Sequence, residues 1–215
     1  MKVIVFGATG PTGRHAVDQA LAKGHEVTAF VRDPAKLQAK HERLRVATGD
    51  ALDGNSVESA LAGQEGVLVC LGARNRSGKG WPPRDIDFVA TQHILQGMKK
   101  HGVRRLVCLS SMGVGDSKNV RSASHWLFAN VVRPLLLRKV FQAKERQEAA
   151  IRVSGTGWII VRPTYLTNGP ARSAFQVTTD LSPVPASISR ADVAAFMVAQ
   201  LTGDEYLHLT PLIGG

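Results

Sequence analysis

The chain has 215 residues, 44% of them hydrophobic and 20% charged, which suits one globular α/β domain and excludes wholesale disorder. No apolar run reaches the ~18 residues of a membrane span, and Val3 to Phe6 is too short for a signal-peptide core, so a soluble cytoplasmic chain without a membrane partner is expected. The formal net charge of +10 is concentrated: residues 74–152 hold sixteen Lys and Arg against five acids, an excess that attracts anions.

In chain order, β-branched runs alternate with helix-like stretches. KVIVF, EVTAFV, LRVAT, GVLVCLG, RRLVCLSS and WIIV read as six strands. Between them, Arg14 to Lys23, Pro34 to His41, Asn55 to Ala62, Asp87 to His101, Ala123 to Val132 and Leu135 to Val153 read as helical, with Pro134 interrupting. Strands apolar on both faces imply a parallel sheet covered by helices on each side. The expectation is a single-domain α/β Rossmann doubly wound sheet spanning 1–215, ending in a short substrate-side segment. From Pro163 to Ser187 the chain is rich in Pro, Thr and Ser, and Ala191 to Leu201 recovers helical periodicity. Cys70 and Cys108 lie inside apolar strands without CxxC or Cys/His spacing, so they read as buried thiols, and no metal is expected.

The first strand runs directly into Gly7-Ala8-Thr9-Gly10-Pro11-Thr12-Gly13, with a helix opening at Arg14. Strand, glycine turn and helix in that order form a phosphate-binding turn, since glycine lets backbone amides approach a pyrophosphate at the helix N-terminus. Pro11 removes one donor, leaving the amides of residues 12 and 13. About 20 residues on, where NAD-binding folds place an acid for the ribose, stands Arg32. A guanidinium matches a 2′-phosphate, so NADPH/NADP is expected and NADH is less favoured. Arg14 and Lys36 are candidates to join Arg32 or to be plain exposed residues, and Asp33 remains an alternative ribose acceptor.

GATGPTG, EVTAFVRDPAKL, GDALD, GVLVCLGARN, HGVRRLVCLSSMGVG, AKERQE, SGTGWIIVRPTYLTNGP and ISRADVA together resemble the atypical short-chain dehydrogenase/reductase superfamily. Within it the chain is most similar to the NADPH-dependent flavin reductase and biliverdin-IXβ reductase family, with NmrA-like relatives sharing most motifs. The resemblance implies a pyrophosphate loop at Gly7, Thr9, Gly10, Thr12 and Gly13 and a 2′-phosphate arginine at Arg32. It implies that Asp50 and Ala51 border adenine, and that Gly72 and Arg74 pass the diphosphate and ribose. Ser111 matches the active-site serine, with Ser110 beside it as the alternative or as a cofactor contact. Lys144 matches the lysine of the nicotinamide ribose, and Pro163, Thr164 and Tyr165 match the loop over the nicotinamide.

The superfamily's Tyr-x-x-x-Lys motif is missing, because Val140 stands four residues before Lys144. That absence favours direct hydride transfer to a conjugated ring over alcohol oxidation. Ser111 and Lys144 are the expected catalytic groups, and Met112 and Tyr165 the expected substrate contacts. Trp81, Trp126 and Phe128 could line an apolar pocket, but aromatics of this kind are more often core than pocket. The expected partner is a small anionic conjugated molecule, a flavin or a bilin, met by a monomer or weak homodimer. The alternative is a noncatalytic NADP-binding regulator or RNA-binding protein using the basic middle third. A sugar-nucleotide epimerase would need the missing tyrosine and a longer C-terminal domain.

Overall fold

The computed structural model describes residues 1–72, 85–119 and 138–215. The expected helix over Ala123 to Val132, Pro134, the segment Gly78 to Arg84, Arg74, Trp81, Trp126 and Phe128 lie outside the described residues.

Six strands, β1 (Lys2–Phe6), β2 (Glu26–Val31), β3 (Leu44–Thr48), β4 (Gly66–Val69), β5 (Arg105–Leu109) and β6 (Gly157–Pro163), are all parallel in the order β3-β2-β1-β4-β5-β6. Their central members are continuous Val, Ile and Leu runs because both faces are covered. One face packs α1 (Pro11–Ala22) and the last described helix, α5 (Arg190–Ala199), onto Val3, Val5, Leu68, Val107 and Ile159. The other packs α2 (Gly54–Leu61), α3 (Ile86–His101) and α4 (Arg138–Arg152) onto Ile4, Phe6, Val67, Leu106 and Ile160. Alternate residues of one strand thus feed two separate cores.

Three expectations are corrected. Pro34 to His41 is not a helix: only Pro34–Lys36 turns, as a 3-10 segment. The Asp33 carboxylate accepts from the Ala35 amide and fixes that turn, after which Leu37 and Ala39 alternate inward as an extended chain does. Second, β3 is not apolar on both faces; Arg45 and Val46 are exposed because β3 is the outermost strand. Third, the C-terminal part holds strands that its Pro, Thr and Ser content concealed. β7 (Tyr165–Thr167) pairs with β9 (Ser187–Ser189), while β10 (Leu212–Gly214) extends the main sheet beyond β6 and carries β8 (Gln176–Thr178) antiparallel.

Candidate cofactor and active site

Because β1 to β6 are parallel and in register, the residues following each strand emerge along one edge of the sheet. Phe6 lies level with Phe30 and Val69, Val69 with Cys108, and Leu109 with Val161. The chain therefore brings Gly7, Arg32, Asp50, Gly72, Ser110, Ser111 and Thr164 to the carboxyl edge, where the strand order reverses between β1 and β4, the place at which doubly wound sheets bind their ligands.

At the start of this edge, Gly7 has φ +81°, and a β-carbon there would lie 2.5 Å from the Cys70 carbonyl oxygen. A β-carbon on Gly13 would lie 2.1 Å from the Gly7 carbonyl oxygen, so no larger residue lets α1 approach β1 this closely. The turn is closed by the Gly10 amide donating to Gly7 O at 2.9 Å. Gly10 caps α1 without a side chain and Pro11 follows, leaving the first-turn amides of Thr12 and Gly13 without intrahelical acceptors. A backbone cradle that any β-carbon would fill, at a helix N-terminus, fits a dinucleotide pyrophosphate. Thr12 is buried and Thr9 half-buried in the same turn.

Arg32 is exposed and makes no hydrogen bond or ion pair among the described residues. Asp33, the alternative ribose acceptor, is instead engaged by Ala35 N at 3.1 Å and Lys36 Nζ at 2.7 Å. The Lys36 hydrogen bond, the Ala35 amide and the Lys36 charge hold its carboxyl below the usual carboxylate range. Arg14 is committed to the loop: Nε donates to Thr9 O at 3.1 Å, Nη1 to Gln38 Oε1 at 2.8 Å and Nη2 to Lys36 O at 3.2 Å. It braces the glycine turn against the segment after β2. Asp50 is exposed and accepts from the Leu52 amide at 3.0 Å, while Ala51 is buried with its carbonyl 3.2 Å from His93 Nδ1. Gly72, three residues past β4, is exposed.

Farther along the edge, Ser110 N donates to Val161 O at 2.8 Å and Met112 N to Pro163 O at 3.0 Å, binding the chain after β5 to β6. The two serines differ. Ser110 is buried and its hydroxyl donates to Glu148 Oε1 at 2.6 Å, whereas Ser111 is half-buried and, among the described residues, its hydroxyl donates only to the adjacent Met112 O at 3.1 Å. Met112 is also half-buried. Thr164 is buried and its Oγ1 has no hydrogen-bond partner among the described residues, a polar atom that suits a ligand amide or hydroxyl. Tyr165 is 75% exposed.

On α4, Lys144 is buried, with Nζ 3.7 Å from Asp87 Oδ2 in the first turn of α3, where the helix N-terminus favours a carboxylate. Val140 occupies the preceding turn of the same helix. Sequence reasoning missed Asp87, Glu148 as a partner of Ser110, and Arg162. Arg162 is wholly buried within β6, and a basic residue inside the apolar run Ile159-Ile160-Val161-Arg162-Pro163 was the signal that it has a buried acid beside it. Among the described residues no group of His, Cys, Asp and Glu is arranged to hold a metal, and no helix is long and apolar enough to cross a membrane.

Residues 7–204 match the family model described as NAD(P)H-binding. An uncharacterized chloroplastic protein of Arabidopsis thaliana is 30% identical over 209 residues, covering 95% of this chain and 73% of its own. A (4-alkanoyl-5-oxo-2,5-dihydrofuran-3-yl)methyl phosphate reductase of Streptomyces griseus is 28% identical over 208 residues, 94% of this chain; the chain spans only 63% of that relative's length. Among solved structures, ChuY, an anaerobilin reductase from Escherichia coli O157:H7, superposes with a TM-score of 0.80 at 22% identity, over all of this chain and 97% of its own. The glycine cradle on the Rossmann edge and the match across almost the whole chain agree: this protein belongs to the NAD(P)H-binding family of Rossmann-fold proteins.

Proposed function

We propose that the protein is an NADPH-dependent reductase that passes hydride to a conjugated ring, a flavin or a bilin such as biliverdin. The observation that carries the choice of reaction is the helix α4: it presents a buried Lys144 with Val140, not tyrosine, one turn ahead. Without a phenol at that place, α4 lacks the tyrosine that would relay a proton to or from a secondary alcohol or simple ketone. A conjugated ring needs less, because it accepts hydride directly.

When bound, NADPH supplies the hydride; the protein supplies position and charge. The first-turn amides of Thr12 and Gly13 would hold the pyrophosphate, and Arg32, without a partner among the described residues, would take the 2′-phosphate. Lys144 would hold the ribose beside the nicotinamide, and Thr164 Oγ1, without a partner among the described residues, would meet the nicotinamide amide. Ser111 orients the ring acceptor through a hydroxyl that, among the described residues, meets only its own neighbour, with Met112 and Tyr165 as apolar contacts. The ammonium of Lys144 offsets negative charge developing on the acceptor, and the proton comes from water at the open edge. A relative that is a reductase supports the class of reaction. Two buried thiols suit a reducing compartment, and we place the activity in the cytoplasm. A monomer or weak homodimer acting on an anionic small molecule completes the proposal.

Following NADPH oxidation with FMN, riboflavin, biliverdin and quinones beside simple ketones tests this reading. Turnover confined to ring acceptors supports it, and turnover confined to ketones opposes it.

A further inference from the structure

Arg162 is among the largest fully buried side chains, and its three donor nitrogens all find carboxylates. Nε donates to Glu148 Oε1 at 3.0 Å and Nη2 to Glu148 Oε2 at 2.6 Å, a two-pronged pairing of β6 with α4. Nη1 pairs with Asp116 in the 3-10 turn Gly115–Asn119, and Arg152 Nη2 stands 3.6 Å from Glu148 Oε2. Glu148 Oε1 also accepts the Ser110 hydroxyl at 2.6 Å. Burial lowers the Arg162 pKa, but hydrogen bonds and charge from Glu148 and Asp116 outweigh it and raise it overall.

The turn after β5 is shaped around this guanidinium. Gly113 and Gly115 have φ of +88° and +58°, and a β-carbon on Gly115 would lie 2.7 Å from Arg162 Nη2. The Gly113 amide donates to Ser117 Oγ at 2.9 Å, and that hydroxyl donates to Val114 O at 2.7 Å. Glycine at 115 therefore lets the backbone lie directly over the buried cation. A buried cluster of this kind gains little net stability over apolar packing, since desolvation offsets the attraction. Its geometric consequence is larger: it joins the turn after β5, which carries Ser111 and Met112, to α4, which carries Lys144, and to β6.

We infer that Ser110, Glu148, Arg162 and Asp116 form a positioning clamp for the catalytic edge, in which Ser110 is the anchor that fixes Ser111 and Asp116 is the outer end that holds the following turn. This deepens the reductase reading and rests on it. Ser110 is then a positioning residue, and the hydroxyl left to face reactants is that of Ser111. The pyrophosphate cradle and Arg32 lie on β1, α1 and the end of β2, outside the clamp, so loosening the clamp disturbs the geometry of the reacting rings far more than the overall affinity for the cofactor.

The test uses the full-length protein with Asp116→Ala, Asp116→Glu and Ser110→Ala, assayed with NADPH and either FMN or biliverdin. The clamp predicts that Asp116→Ala and Ser110→Ala lower kcat about five- to tenfold through misplaced reacting groups, with the NADPH Kd within about twofold of wild type. Asp116→Glu restores most of kcat. A lower Tm with unchanged kcat, or loss of NADPH affinity in step with kcat, overturns the clamp. If the wild type turns over neither acceptor, the reductase reading falls. Amide exchange at Met112 and Gly113 then decides the clamp separately: faster exchange in both variants supports it, and unchanged exchange overturns it.

Discussion

Gly13 is packed so tightly against Gly7 that a β-carbon on the former would sit 2.1 Å from the carbonyl oxygen of the latter. Backbone cannot retreat as a flexible side chain can, so Gly13→Ala must push α1 off β1. We expect a loss of about 1–3 kcal/mol of stability, the range for overpacking a close contact. NADPH affinity should fall as well, because the amide of residue 13 moves. Denaturant unfolding and NADPH titration measure the two effects; a variant with wild-type stability and affinity contradicts this packing.

Cofactor choice should rest on Arg32, which has no partner within the described residues to lose. Arg32→Ala is expected to weaken NADPH binding about tenfold and leave NADH binding nearly unchanged, since only NADPH carries the 2′-phosphate. Parallel titrations of both cofactors check this, and equal losses would remove Arg32 from the site.

The thiols should be chemically silent. Burial pushes the Cys70 thiol up to about 12 and the Cys108 thiol further, so neither forms a thiolate near neutral pH. Native protein should resist thiol reagents that label both residues after unfolding. Rapid labelling of the native form would argue for an accessible, reactive cysteine.

Asp192 gives the acid side of stability. Burial pushes its carboxyl up, but the Ser189 hydroxyl at 2.7 Å, the Ser173 and Arg172 amides and the Arg172 charge outweigh it and hold the carboxyl below its ordinary value. A depressed folded-state pKa contributes stability present above the unfolded-state value near ~3.9 and lost as pH falls through the folded one. Stability should therefore decline as pH falls below about 4, and Asp192→Asn should flatten part of that decline while lowering stability at neutral pH. An unaltered pH profile in the variant would show that Asp192 contributes nothing to it.

The six parallel strands and the glycine turn were legible because burial on both faces writes itself as unbroken β-branched runs, and because the turn's glycines answer to backbone contacts only. What stayed hidden has particular causes. The stretch after Arg32 places Leu37 and Ala39 inward with a period of two, which a short window containing Pro34 does not separate from a helical turn. β7 to β10 are each three residues long and draw their pairing from distant segments, such as Leu212 beside Arg162, which no local pattern records. The Ser110–Glu148–Arg162 contacts join residues from a strand end, a helix and another strand, so each looked ordinary alone. The choice between Ser110 and Ser111 depends on which way each side chain points after β5, a property of the folded edge.

Ser111 should orient and not attack, since its hydroxyl meets only the neighbouring Met112 carbonyl among the described residues, with no base beside it. Ser111→Ala is expected to slow ring reduction about tenfold and leave NADPH affinity intact. Complete loss of turnover, or trapping of a covalent adduct on Ser111, would require a nucleophilic role.

The most direct measurement is a single turnover: protein saturated with NADPH is mixed with FMN or biliverdin, and absorbance follows cofactor and acceptor together. The account predicts that NADPH disappears and the ring is reduced in equal amounts at the same rate. NADPH that binds but stays unoxidised with every flavin, bilin and quinone would contradict the reductase assignment and leave an NADP-binding regulator in its place.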